Sequence, residues 1–173
     1  MQQTARPSRR HILWLLMSAG GAIGFSVAAL AQERPNFSGR WVDVSRPSGP
    51  ETLVTHDATT LSFQFRSGGR NGSEEVIRSA TYTFNGVATR NSISTRFGPI
   101  VYVGKAEWVG ATVRITETGT YPNVNGEQAE VIQLWWLDAR GRLVMELTET
   151  FQGRKPARMT VIRTRIGMVA ERG

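Results

Sequence analysis

Ala129–Phe151 reads AEVIQLWWLDARGRLVMELTETF, and the way it alternates decides the fold class. Two runs rich in Val, Leu, Trp and Thr flank the polar, glycine-containing segment Asp138-Ala139-Arg140-Gly141. Period-two patterning on both sides of such a segment marks an antiparallel hairpin. With those four residues as the turn, Leu137 faces Arg142. One face then carries Ile132, Leu134, Trp136, Leu143, Met145 and Leu147, and ends with Glu130 opposite Glu149. The other face mixes Gln133, Trp135, Val144 and Glu146. Every one of these assignments depends on register, because a slip of one residue turns a strand over.

The same alternation recurs throughout the chain after Gly39. Candidate strands are Arg40–Ser45, Thr52–His56, Thr59–Arg66, Glu75–Phe84, Ile100–Trp108, Ala111–Gly119, Ala129–Leu137, Arg142–Phe151 and Arg158–Arg165. Open loops are expected at Ser67–Ser73, Asn85–Gly98 and Thr120–Gln128. Sustained helical spacing is missing after residue 31. The pattern predicts an all-β, antiparallel up-and-down meander closing into a barrel of about eight or nine strands. A two-residue turn at Val109-Gly110 pairs Trp108 with Ala111. Tyr102, Gly104, Ala106 and Trp108 then share a face with Val113, Ile115 and Glu117, and Tyr102 lies opposite Glu117. After Gln152–Pro156, Met159, Val161 and Arg163 are assigned inward, although Ile162 would serve the other choice.

The first 31 of the 173 residues differ from the rest. Arg6, Arg9 and Arg10 precede the mostly apolar Ile12–Phe25, and Ala29-Leu30-Ala31 supplies a small-residue cleavage site before Gln32. This reads as a cleavable export signal. Ser8-Arg9-Arg10-His11-Ile12-Leu13 is similar to a twin-arginine signal, and Trp14 in place of the usual lysine leaves the Sec route open. An uncleaved anchor is the alternative, since Ile12–Ala31 is long enough to span a bilayer. The expected organisation is a signal at 1–31, a barrel domain at 32–166 and a tail at 167–173. The expected location is periplasmic or secreted, with no transmembrane segment once the signal is removed.

Composition removes several function classes. The chain has no cysteine, which excludes disulfides, thiolate catalysis and cysteine metal sites. Cleavage takes three arginines from a formal charge of +7, and no basic block remains, so no nucleic acid partner is expected. His56 is the one histidine beyond the signal, and it lies beside Asp57 in a predicted exposed turn. Neither zinc nor a Ser-His-Asp triad is expected from it. Ser67-Gly68-Gly69-Arg70-Asn71-Gly72 leads into a strand-like run rather than a helix, so it is not a phosphate loop. No cofactor or metal is expected.

Asn36-Phe37-Ser38-Gly39-Arg40-Trp41 resembles the N-terminal G-x-W motif of lipocalin and calycin barrels. The whole chain is most similar to small exported bacterial lipocalin-like domains. Tyr82-Thr83-Phe84-Asn85-Gly86, Ala106-Glu107-Trp108-Val109-Gly110 and Leu137-Asp138-Ala139-Arg140-Gly141 follow in the matching order. A T-D-x-x-Y second motif and a C-terminal helix are missing. The resemblance implies that Trp41 plugs the barrel floor beneath a basic residue of the last strand. Arg163 is assigned that role, with Arg165 as the alternative.

These faces define a candidate ligand site of Phe63, Phe65, Arg78, Tyr82, Tyr102, Trp108, Ile115, Glu117 and Trp136, with Trp41 and Arg163 as the structural floor. The function expected is that of an exported, non-catalytic protein binding a small apolar or amphiphilic molecule, with Arg78 and Glu117 holding a polar end. One alternative is a cavity-free interaction module of the cell envelope that uses Trp135, Val144 and the Asn85–Gly98 loop. The other is an enzyme built on Glu130 and Glu149, since facing carboxylates raise at least one pKa. That pair also has a plain reading, as solvated residues at the barrel rim.

Overall fold

The computed structural model describes residues 34–68, 74–95, 98–121 and 126–167. The expected export signal and the tail beyond Gly167 lie outside the described residues. Among the described residues, ten strands follow one another along the chain. They are β1 (Gly39–Asp43), β2 (Glu51–His56), β3 (Thr60–Gly68), β4 (Glu74–Thr83), β5 (Thr89–Thr95), β6 (Gly98–Val109), β7 (Thr112–Tyr121), β8 (Glu127–Leu137), β9 (Leu143–Phe151) and β10 (Ala157–Ile166). All described pairings are antiparallel, in the order β4-β3-β2-β1-β10-β9-β8-β7-β6-β5. The result is an up-and-down sheet nearly closed into a barrel.

The remaining gap lies between β4 and β5, and side chains bridge it. Thr81 N–H donates to Asn91 Oδ1 at 2.9 Å. Thr89 Oγ1 and Asn91 Nδ2 donate to the Thr81 carbonyl. Strand β5 falls within Asn85–Gly98, where the sequence predicts a loop. Its residues, TRNSIST, include a single apolar side chain, so it carries no period-two hydrophobic signal. Polar composition suits a strand at a sheet edge, and here the same polar groups make the seam.

Turn geometry corrects two registers. Gly110, with φ of 62°, is the first residue of the β6–β7 turn, so Val109 pairs with Thr112 and Trp108 with Val113. Such a two-residue hairpin turn favours glycine at a positive φ. The shift from the expected pairing is two residues, so every side chain keeps its face. Gly104, not Tyr102, now stands opposite Glu117.

The β8–β9 turn has the larger consequence. Asp138 N–H donates to the Arg142 carbonyl, and Leu137 pairs with Leu143. The loop is therefore Ala139-Arg140-Gly141, with Gly141 at φ of 69°, and Asp138 Oδ1 accepts from the Arg140 and Arg142 amides. The slip is one residue, and β8 turns over. Trp135, fully buried, points inward with Gln133 and Val131, while Trp136, Leu134 and Ile132 lie on the half-buried outer face. The inward assignment of Trp136 is thus corrected. Glu130 pairs with Thr150 and is exposed, and Val131 is the partner of Glu149. The expected Glu130/Glu149 facing pair does not form.

At the floor, Trp41 is fully buried, and its indole N–H donates to the Phe37 carbonyl at 2.9 Å. The guanidinium over its ring, at 4.6 Å, belongs to Arg165. Arg163 was expected there, but the β1–β10 ladder sets Trp41 opposite Arg165 and Arg163 opposite Asp43. Gly39 follows from the same packing. Its φ is 141°, and a Cβ there would lie 3.1 Å from Arg165 Nε. The glycine two residues before the tryptophan makes room for the arginine that covers it.

His56 is likewise not an exposed turn residue. Its ring lies 5.5–5.7 Å from those of Phe37, Phe84 and Trp108, and its Nδ1 is buried without a partner among the described residues. Burial lowers its pKa, against a smaller opposing effect from Asp57. The floor end is therefore an aromatic plug. Trp108 belongs to it, stacked on Phe37 and Phe84, with the exposed Arg34 5.2 Å above its ring.

Candidate functional site

Midway through the barrel, the alternation of β7 carries a carboxylate inward. Glu117 is fully buried, and donors from two other strands converge on it. Arg78 Nη2 of β4 donates to both carboxylate oxygens at 3.0 Å. Tyr82 OH, also of β4, donates to Oε1 at 2.6 Å. Gln133 Nε2 of β8 donates to Oε2 at 2.7 Å and accepts the Trp135 indole N–H at 3.1 Å through its Oε1. A buried charge is tolerable only when it is paired and its lone pairs are used, and this set meets both conditions.

The absence of a side chain at position 104 is part of the arrangement. A Cβ there would lie 2.9 Å from Glu117 Cγ and 3.2 Å from Tyr82 Cε1. The Arg78 guanidinium lies 5.3 Å from the Phe63 ring centroid and 5.2 Å from that of Tyr102. Burial pulls the Arg78 pKa down, but Glu117 and the neighbouring tyrosines outweigh it and the net shift is upward. Burial, reinforced by the Glu117 carboxylate, pushes the Tyr82 phenol well above its usual range. Both groups therefore keep their protons throughout the neutral range.

A second chain of hydrogen bonds lies closer to the other end of the barrel. Tyr102 OH donates to Tyr121 OH at 3.1 Å, and Tyr121 OH donates to Glu149 Oε1 at 2.5 Å. The Tyr102 ring rests on Gly119, where a Cβ would lie 2.5 Å from its Cδ1.

Beside the buried carboxylate cluster is a cavity of ≈150 Å³ lined by Phe65, Arg78, Gln133, Met145, Glu146, Leu147, Met159, Val161 and Arg163. Strands β3, β4, β8, β9 and β10 all contribute to it. Its wall is mainly apolar, and its polar members are two arginines, a glutamine already committed to Glu117, and Glu146. Arg163 is nine-tenths buried, with its guanidinium 5.2 Å from the Phe65 ring centroid. Burial lowers its pKa, against a smaller upward pull from Asp43. A wider groove of ≈530 Å³ at the floor end, lined by Arg34, Thr59, Thr60, Phe84, Asn85 and Trp108 among others, is open to solvent.

The sequence-derived site therefore divides. Phe65 and Arg78 line the cavity. Phe63, Tyr82, Tyr102 and Glu117 surround the Arg78 guanidinium. Ile115 is packed in the core, Trp108 belongs to the floor plug, and Trp136 faces outward. Arg163, assigned to the floor, lines the cavity instead. The Glu130/Glu149 register had placed Gln133 on the wrong face, so its part in the site was missed. A glutamine inside the apolar run Val131–Leu137 was the available signal, since an amide at a core position needs a buried partner. Among the described residues, no group of three or more His, Asp or Glu side chains is placed to hold a metal ion.

No protein-family model matches the sequence, and a search of curated proteins finds no matching relative.

Proposed function

We propose that the chain is an exported, non-catalytic binding protein of the bacterial cell envelope, whose lipocalin-like barrel holds a small, partly apolar molecule. The observation that carries this reading is the cavity beside Glu117. It is sheltered, its wall is mostly apolar, and two of its few polar groups, Arg78 and Gln133, are held by Glu117. Ligand sites commonly combine these features. The volume is about that of a cavity known to accept benzene, so the ligand, or the part of it inside the barrel, is small.

The reading is tested by differential scanning fluorimetry and Trp emission across a metabolite and lipid library. Trp135 is hydrogen-bonded to cavity-lining Gln133 and provides an internal reporter. A Leu147→Trp variant that fills the cavity serves as the control. Binding by the wild type and its loss in the folded variant support the reading. A library without hits, or hits that bind the filled variant equally well, would end it.

A second reading has its own observation. Val109, Thr112, Arg114, Ile132 and Leu134 line an open groove of ≈380 Å³ on the outside of the barrel. An envelope interaction module would use that outer face. Leu134→Glu would then abolish recruitment to the envelope without affecting ligand binding or stability.

A further inference from the structure

Two cations share the wall of the ≈150 Å³ cavity, and both have donors to spare. Arg78 donates to Glu117 through Nη2 and also interacts with the Tyr82 hydroxyl. Arg163 makes one long contact, Nη1 to the Pro50 carbonyl at 3.4 Å. Among the described residues, the Nε of each is buried without a partner. Unpaired buried donors are costly, and those on a charged group more so. The two guanidiniums lie over Phe63 and Phe65, adjacent inward rings of β3 whose centroids are 5.1 Å apart.

The possible acceptors nearby are engaged or directed elsewhere. Glu117 already receives three donor groups. Gln133 spends its amide oxygen on Trp135. Asp43, the ladder partner of Arg163, accepts from the Ser45 amide and hydroxyl. Glu146 lines the cavity too, but its ladder partners Leu134 and Thr160 lie on the outer face of the sheet, so its carboxylate is directed away from the two guanidiniums. What the cavity lacks is a hydrogen-bond acceptor.

Resting on the binding reading above, we infer that the ligand is a short monocarboxylate. Its carboxylate would engage Arg78 and Arg163, and its apolar part would lie against Phe65, Met145, Leu147 and Val161. A planar carboxylate matches the arginine fork and forms charge-assisted pairs. Multiply charged anions such as phosphate are disfavoured, because Glu117 and Asp43 are close and the rest of the wall is apolar. Met159, half-exposed at the cavity edge, is an unbranched side chain that adapts to chains of different length.

The experiment is isothermal titration of the full chain with straight-chain acids from acetate to octanoate, the matching primary amides and inorganic phosphate. The expected result is binding of the acids with an optimum at intermediate length. Amides should bind at least roughly tenfold more weakly, and phosphate should not bind. Arg163→Met should lose the preference for acid over amide, and Arg163→Lys should recover part of it. The paired variant Arg78→Met/Glu117→Gln leaves no charge unpaired, and it should lose the preference as well. Amides binding as tightly as acids, or phosphate binding best, would overturn the inference while the binding reading stands. If neither acids nor amides bind, yet another library compound binds in the cavity, the inference alone fails. If nothing binds there, both readings fail.

Discussion

Gly104 stands directly across the β6–β7 ladder from Glu117, and the buried carboxylate occupies the space that a side chain at 104 would take. The Thr116 carbonyl, 3.0 Å from the same hypothetical Cβ, closes the backbone side. Gly104→Ala therefore forces Glu117 or the ladder to move. The expected cost is about 1–3 kcal/mol, read as a lower urea midpoint at unchanged m-value.

The Glu117 network should show strong non-additivity. Glu117→Ala strands the Arg78 charge and leaves Tyr82 and Gln133 without their acceptor, for a loss of about 3–5 kcal/mol. Arg78→Met/Glu117→Leu removes both charges together, so it should be less damaging than Glu117→Ala alone. Urea unfolding of the singles and the double provides the comparison.

The floor plug depends on Arg165 rather than Arg163. Arg165→Met keeps most of the stem over the Trp41 indole and removes the charge, at an expected cost of about 0.5–2 kcal/mol. Arg163→Met should leave the Trp41 environment unchanged by near-UV circular dichroism. The reverse pattern would contradict the 4.6 Å stacking of Arg165 on Trp41.

His56 predicts a pH dependence of definite sign. Its folded-state pKa lies below the ordinary 6.5 because its ring is buried among aromatic rings. The unfolded chain thus takes up a proton at higher pH than the folded one, and stability must fall as pH drops from 6.5 towards the folded value. His56→Phe should flatten the stability profile between about pH 7 and pH 5. The check is thermal midpoints across that range, compared with the wild type.

The seam between β4 and β5 predicts a local effect. Asn91→Ala removes the acceptor of the Thr81 amide and one donor to its carbonyl. Amide exchange at Thr81 should accelerate, with little change at the ladder amides of β7 and β8, which pair on both sides. Hydrogen exchange by NMR distinguishes opening of the seam from global unfolding.

Much of the barrel could be read from alternation. Nine of the ten described strands coincide with alternating runs in the sequence, although β1 and β9 also bury consecutive residues, Trp41-Val42 and Leu143-Val144-Met145. Strand β5 carries no such run, because its role is to present polar side chains to a seam. The candidate site was less legible. Glu117 followed from a face that survived a two-residue shift in the β6–β7 pairing, and Tyr82 from the alternation of β4. Trp136 did not, because the β8–β9 loop is one residue shorter than Asp138–Gly141 implied. The signal was present, since a three-residue hairpin loop places glycine last, as Gly141 is in Ala139-Arg140-Gly141.

By itself, then, the sequence determined the antiparallel all-β architecture and the inward faces of β6, β7 and β9. These follow from local pattern, since alternation and glycine positions are properties of neighbouring residues. Only the tertiary structure decided which arginine covers Trp41, that Gln133 and Trp135 face inward, and that Arg78 and Arg163 share one cavity. Those depend on ladder register between strands far apart in the chain. A shift of a single residue there exchanges buried and exposed side chains without altering the pattern of either strand.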